Sequence, residues 1–472
     1  MRDLLFLLLA TPLAEASDTG DTAVDCGTPY TSDTADTDGG SSGAGQDHGS
    51  PENGLYDIDG FDDVRNCAQC HPNHYDEWHG SIHAYAATNP VMWHGSREIG
   101  ETTEFPLNCM GCHAPISTLT GVLTDVDVVY DKSQLPEAAA YGVSCVSCHK
   151  LYDVYNGVNQ FTHCDDYYFG TIDDPEPTTY HGNGTSSLHS EALVCRSCHN
   201  VENINHVQVE FTYTEWLDAN EAAGGEEFEP AIQTCQDCHM PAYTGPAATG
   251  GPDRTVHRHT FVGGDVALQP FPDAHRQYRA VQALMATAGQ ITATPVYVEG
   301  GFAGADVAVT NLIEGHDLPS GSAFDRQVWV EIYITDHDGN VLVESGTLDE
   351  NGDLRDWNSE LQPESDYWIT QRLSVFRSYL SDETGAETFS FIGEATAIED
   401  DSLAAGETRY IRYFAPEIGP DTALPITVET RLLYRPFPPF LLRKIGMDED
   451  LVLSVPIYEI ARDTLVVESL TE

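Results

Sequence analysis

The chain has 472 residues, with 21 Lys plus Arg against 76 Asp plus Glu, a formal charge of −55 with histidine neutral. That length allows two or three domains. The charge argues against nucleic acid and anionic membrane surfaces as partners, and fits either a basic partner or simple solubility.

In chain order, Met1 to Ala16 reads as a secretory signal peptide. Arg2 supplies the positive charge, Leu4 to Ala10 the apolar run, and Ala14-Glu15-Ala16 a small-x-small cleavage site. Residues 17–55 are rich in Asp, Thr, Ser and Gly and read as a disordered acidic linker that cannot bury enough apolar surface to order itself. No later run is long and apolar enough for a transmembrane segment.

From Cys67 the pentapeptide Cys-x-x-Cys-His occurs five times: Cys67/Cys70/His71, Cys109/Cys112/His113, Cys145/Cys148/His149, Cys195/Cys198/His199 and Cys235/Cys238/His239. This is the attachment pattern of haem c. Two intervening residues let both sulfurs reach one porphyrin edge, and the adjacent His becomes the proximal iron ligand. A zinc site would pair motifs, and five is odd; a redox dithiol would not need His beside the second Cys each time. Five covalent haems are expected. Attachment takes place outside the cytoplasmic membrane, which agrees with the signal peptide. Ten of the 12 Cys are thereby used. Cys164 reads as an idle or buried thiol, because a bond to Cys26 would fix a segment that looks floppy.

Residues 56–290 then form a pentahaem domain with short helices at the motifs, long connections, and the cofactors as much of its core. Longer helices are expected over about 214–223 and 273–288, the second with a stripe of Tyr278, Val281, Leu284 and Met285. Five proximal ligands leave 14 of the 19 His for sixth positions, so bis-His ligation is the default. His48, His74 and His79 read as solvated; His94, His163, His189, His206 and His275 stay open.

The ordered elements Trp78-x-x-Ser81-x-His83-Ala84, Cys109 to Pro115, Gly142 to Lys150, Tyr213-Thr214-Glu215-Trp216, Cys235 to Pro241 and His259 to Gly264 resemble multihaem cytochromes of the cytochrome c-552/4 domain type. The resemblance implies that His83 is a distal ligand, with the His149 haem the first choice. His259, with His257 as rival, and His181 follow as distal candidates.

From residue 291 to 472 the pattern changes to period two. Strands are expected at Val307 to Asn311, Val328 to Thr335, Val341 to Val343 after an Asp338-Gly339 turn, Arg409 to Ala415, Ile426 to Arg435 and Leu451 to Ile460. They suggest an antiparallel, Ig-like β-sandwich, so the fold class is multidomain α+β, mainly helical and irregular in its haem half. His316, in Gly315-His316-x-x-Pro319-x-Gly321, sits at a strand end within possible reach of a haem.

The leading functional expectation is a periplasmic or extracellular electron-transfer cytochrome serving redox partner proteins. An oxidoreductase of small nitrogen or sulfur compounds would need an iron without a protein sixth ligand. A homo-oligomer or larger cytochrome complex, such as a filament, is the third class. All five motifs end in His, so a Lys-ligated haem is absent.

Overall fold

The computed structural model describes residues 56–102, 109–123, 132–155, 157–162, 164, 166–173, 175, 178–356, 358–359 and 373–471. The signal peptide, the acidic linker, His48, His163 and Cys26 fall outside the described residues.

Short helices seat the motifs. Val64–Ala68 carries Cys67, while Met110–His113, Cys145–His149 and Cys235–His239 cover most of three others. Their starts are chemically marked. Ser144 and Ser147 form a capping box, as do Thr234 and Asp237, which satisfies backbone donors that a one-turn helix leaves open. Pro72 opens the helix Pro72–His79 directly after His71, where its missing N–H is harmless.

Among the described residues this half makes four two-stranded ladders, three between motifs and one after the fifth: Leu151–Tyr155 with Val158–Phe161, Tyr167–Gly170 with Gly182–Thr185, Val201–Glu202 with Gln208–Glu210, and Ala242–Pro246 with Asp253–His257. The apolar residues of this half form separate small clusters around Val146, Met110 and Trp78. Cys164 differs from expectation: it is buried and disulfide-bonded, not an idle thiol.

The helix Ala274–Ala288 joins the two halves. Its buried stripe is Gln277, Val281, Met285 and Ala288; Tyr278, placed in the stripe by the sequence, is exposed. Gln277 is buried because its amide accepts from Ala267 N and donates to Gly80 O. The strand Gly289–Val298 begins at the next residue. The position is tight: a Cβ on Gly289 would sit 3.1 Å from Ile460, Leu432 and Thr310 O, so these neighbours would have to give by a few tenths of an ångström.

Among the described residues two larger antiparallel sheets follow, beside a two-stranded ladder of Ser378–Ser381 with Ala397–Asp400. One orders Thr408–Phe414, Gly301–Asn311 and Gly289–Val298; the other orders Val341–Ser345, Gln327–Thr335, Ile426–Arg435 and Tyr458–Val467, with Val375–Phe376 also pairing to Gln327–Thr335. Both contribute to a single apolar core, with Val307 and Val309 from the first and Val328, Val330, Ile332, Ile334, Val428 and Leu432 from the second. Trp329 is buried on the opposite face under Leu354 and Leu433, its indole N–H donating to Gly346 O at 2.9 Å. The central strand is therefore covered on both faces, which alternation alone did not reveal. The expected strand at Leu451 to Ile460 is corrected: Glu449–Val452 is helical after Asp448, and the strand is Tyr458–Val467.

The halves are bonded together. Arg326 pairs with Asp265 at 2.7 Å and donates to Tyr434 Oη at 2.9 Å. Asn203 donates to Phe391 O at 2.7 Å and Ala395 O at 2.8 Å.

Candidate haem-binding site

One continuous cavity of about 3480 Å³ runs through the molecule, lined by Cys and His of all five motifs and by His83, His181, His259 and His316. A single small-molecule pocket has roughly 300–1,000 Å³, so this space is on the scale of several large cofactors. The walls come from both halves, since Phe324, Asp325, Arg326, Tyr434, Phe437 and Leu441 also face it.

Imidazoles face one another across this space in pairs. The ring centres of His71 and His181 are 6.4 Å apart, His83 and His199 6.3 Å, His149 and His259 6.2 Å, and His239 and His316 6.3 Å. A metal–imidazole distance of about 2.0–2.1 Å, plus roughly 1.1 Å from nitrogen to ring centre on each side, puts trans imidazoles roughly 6.3 Å apart. All four separations fit an iron between the rings, so the residues present fit the group that the motifs imply.

Hydrogen bonding leaves the right nitrogen free. The Nδ1–H of His71 donates to Ala247 O at 2.7 Å, that of His149 to Phe169 O at 2.6 Å and that of His239 to Val262 O at 2.6 Å. Among the opposing rings, His181 donates to Gly182 O at 3.1 Å, His259 to His257 O at 2.9 Å and His316 to Asp317 O at 2.8 Å. A carbonyl can only accept, so the proton is assigned to Nδ1 and the Nε2 lone pair stays available. Burial favours the neutral, ligating form at three of the distal candidates: it pulls His83 and His259 down to about 3 and His316 to about 4. For His199 burial acts the same way, but the Glu210 carboxylate, 3.5 Å away, outweighs it and raises the ring to about 9.

The motifs are also ordered in space. The thiol of Cys67 meets that of Cys145, Cys112 meets Cys198, and Cys195 meets Cys235, while Cys148 lies in the field of Cys198. The first motif thus adjoins the third, the third adjoins the fourth, and the fourth touches the second and the fifth. Adjacency follows chain order only from the third motif to the fifth, and the fourth motif is a junction.

Sequence reasoning selected four candidate distal residues, and the structure brings each opposite a motif His. It differs on one pairing. His83 faces His199, while His259 faces His149. The rival His257 donates Nδ1–H to Met240 O at 2.7 Å. His74, read as solvated, lies 4.7 Å from His259 with its Nε2 buried, and His189 stacks on His149 at 5.5 Å. His206 and His275 are exposed. Among the described residues no second imidazole is paired with His113. The wall beside its motif carries Met92 and Ser96, whose hydroxyl lies 3.3 Å from the Met92 sulfur.

Paired imidazoles, each contributed by a Cys-x-x-Cys-His motif and a distant His around one shared cavity, define a multihaem c-type cytochrome. Residues 66–150 match the family model described as cytochrome c554 and c-prime. The chain is similar in fold to the crystal structure of a penta-heme cytochrome c552 from Thermochromatium tepidum, with 20% identity and a TM-score of 0.58, over 87% of this chain and 100% of that one. No curated protein matches the chain. Among the described residues no helix is long and apolar enough to cross a membrane.

Proposed function

We propose that this protein carries five covalent haems and moves electrons among partner proteins in the periplasm or at the cell surface. The observation that carries the reading is the set of four imidazole pairs at 6.2–6.4 Å, each joining a motif His to a second His. Haem c, when bound, supplies a one-electron iron couple. The chain's own work is positional. His71, His113, His149, His199 and His239 would be proximal ligands, with His181 opposite His71, His259 opposite His149, His83 opposite His199 and His316 opposite His239. Backbone carbonyls fix the ring orientations, and the apolar walls keep water from the ligands. The linked motifs support transfer along a branched array.

The domain boundaries belong to this proposal: a pentahaem domain over 56–290, and an Ig-like sandwich over 291–472 that supplies one ligand and one wall. The formal charge of −55 supports a partner with a basic surface.

A second reading rests on His113. With no imidazole opposite it among the described residues, its iron is the one where a small nitrogen or sulfur compound could bind, which favours an oxidoreductase. One experiment separates the readings. Intact mass after haem maturation should exceed the mature chain by five haems. Reduced protein is then mixed with carbon monoxide, nitrite, hydroxylamine and tetrathionate. Electron transfer alone predicts no turnover of the last three. Carbon monoxide binding at one haem with steady turnover would establish the enzyme reading. Carbon monoxide binding without turnover would point to a ligand supplied by a neighbouring subunit in a larger complex. Four or fewer haems would overturn the cofactor count.

A further inference from the structure

We infer that Glu215, on the helix of the haem-bearing half that follows the fourth motif, is a positioning residue that holds His316 of the C-terminal half opposite His239. The inference rests on the reading of His316 as a sixth ligand.

His316 belongs to a loop at the end of the strand Gly301–Asn311. On its own side this loop is anchored by Leu318, whose N–H donates to Leu403 O at 2.9 Å and whose carbonyl accepts from Leu403 N at 3.0 Å. Nothing in those bonds fixes the loop relative to His239, which lies in the other half. Glu215 does. Its Oε2 accepts from Asp317 N at 3.2 Å, the amide next to His316, and from Ser320 Oγ at 2.6 Å. Because Ser320 donates to the carboxylate, the 2.8 Å contact between Thr212 and Ser320 must have Thr212 as donor. The same helix therefore grips the loop twice. It also packs on it: a Cβ at Gly315 would sit 3.2 Å from the Trp216 ring.

The helix itself is fixed to the motifs on either side. Tyr213 N donates to His199 O at 3.1 Å, and the Trp216 indole donates to Gln233 O at 2.9 Å, two residues before Cys235. Glu215 is buried between these anchors. A buried carboxyl group accepting two hydrogen bonds on one oxygen is a short, stiff link from the fifth motif's surroundings to the loop that carries His316. Sequence reading had placed Glu215 in a recurring element without giving it a task.

Both donors converge on one oxygen, so an amide carbonyl can take its place. This gives the test. His316→Ala, Glu215→Ala, Glu215→Gln and Ser320→Ala are compared in the full haem-loaded protein by low-temperature electron paramagnetic resonance and by carbon monoxide binding after reduction. His316→Ala should convert one low-spin haem to a carbon monoxide-binding one. Glu215→Ala should raise carbon monoxide binding at that same haem about 10-fold, the factor for loss of two hydrogen bonds between neutral groups, and leave the others unchanged. Glu215→Gln should behave like the parent, and Ser320→Ala should fall between them. If Glu215→Ala fails to fold, Ser320→Ala decides, since it cuts the shorter bond from the other side and leaves the helix surface intact. Normal spectra in both Glu215→Ala and Ser320→Ala, with the His316→Ala effect present, would overturn the positioning role. An unchanged His316→Ala spectrum would instead overturn the ligand reading beneath it. Glu215→Gln as damaged as Glu215→Ala would refute the single-oxygen account.

Discussion

Replacing Arg326 by Ala should weaken the junction between the two halves more than any exposed charge change. Its guanidinium pairs with Asp265, and the two side chains are 17% and 23% exposed, so the pair is not an ordinary surface ion pair. Arg326 also donates to Tyr434 Oη at 2.9 Å and to Ser320 O at 3.1 Å. It also acts on Asp325, which burial pushes up to about 8 against that attraction. Removing one member of a buried pair costs about 3–5 kcal/mol, because the remaining charge is left uncompensated. With a urea slope of about 3 kcal/mol per M, the midpoint should fall by roughly 1–1.7 M. The assay is urea unfolding followed by far-ultraviolet circular dichroism, with Arg326→Lys and the double change Arg326→Ala/Asp265→Asn as controls. Lysine keeps the charge but not the planar fork, so it should recover about half of the loss. The double change removes the stranded carboxylate and should be more stable than Arg326→Ala alone. A midpoint shift below ~0.3 M for Arg326→Ala, or a double variant no better than the single one, would refute the reasoning.

Other expectations can be checked separately. Glu77 accepts from Arg258 and, at 2.9 Å, from His259 N, so Glu77→Ala should release the His259 segment and diminish one low-spin signal; a full set of unaltered signals with normal folding would contradict it. The Arg258 side of that pair is 44% exposed, so the effect on global stability should stay near ~1 kcal/mol. Gly346 has φ +72° and a Cβ there would sit 2.1 Å from Val330 O; Gly346→Ala should cost at least ~3 kcal/mol by urea denaturation, and a cost under ~1 kcal/mol would show that the strand can shift. Association with a basic electron acceptor should slow steeply as salt rises, since steering is screened beyond about 10 Å at 0.1 M; a stopped-flow rate indifferent to salt would leave the charge with solubility alone.

Much of the chemistry was legible because it is local. Two thiols and an imidazole within five residues declare their use wherever the chain goes. The Thr212–Ala222 helix and the Ile426–Arg435 strand were likewise readable, since their periodicities are set by which face is buried. Pairing was not. His83 meets His199 because the packing of the fourth motif against the second brings them together, and no local pattern encodes that approach. Leu451 and Val452 read as strand residues, yet Asp448 starts a helical turn there. The small ladders of the haem-bearing half escaped notice because two short strands bury too little to leave a periodic signature. Burial of Trp329 depended on Leu354, a residue from a distant loop.

The crossed pairing of imidazoles has a consequence for how the molecule is put together in time. A chain made and delivered from its N-terminus presents His83 long before His199, so on the proposed ligation the fourth haem can complete its coordination as soon as it is attached. The first must wait for residue 181 and the third for residue 259. The fifth waits for the loop at 316. Maturation should then finish in an order different from attachment, with the first haem closing, then the fourth ahead of the third, and the fifth last. Pulse-labelled protein sampled during synthesis, read for low-spin character, would expose the sequence; simultaneous appearance of all signals would show that coordination closes only in the finished chain.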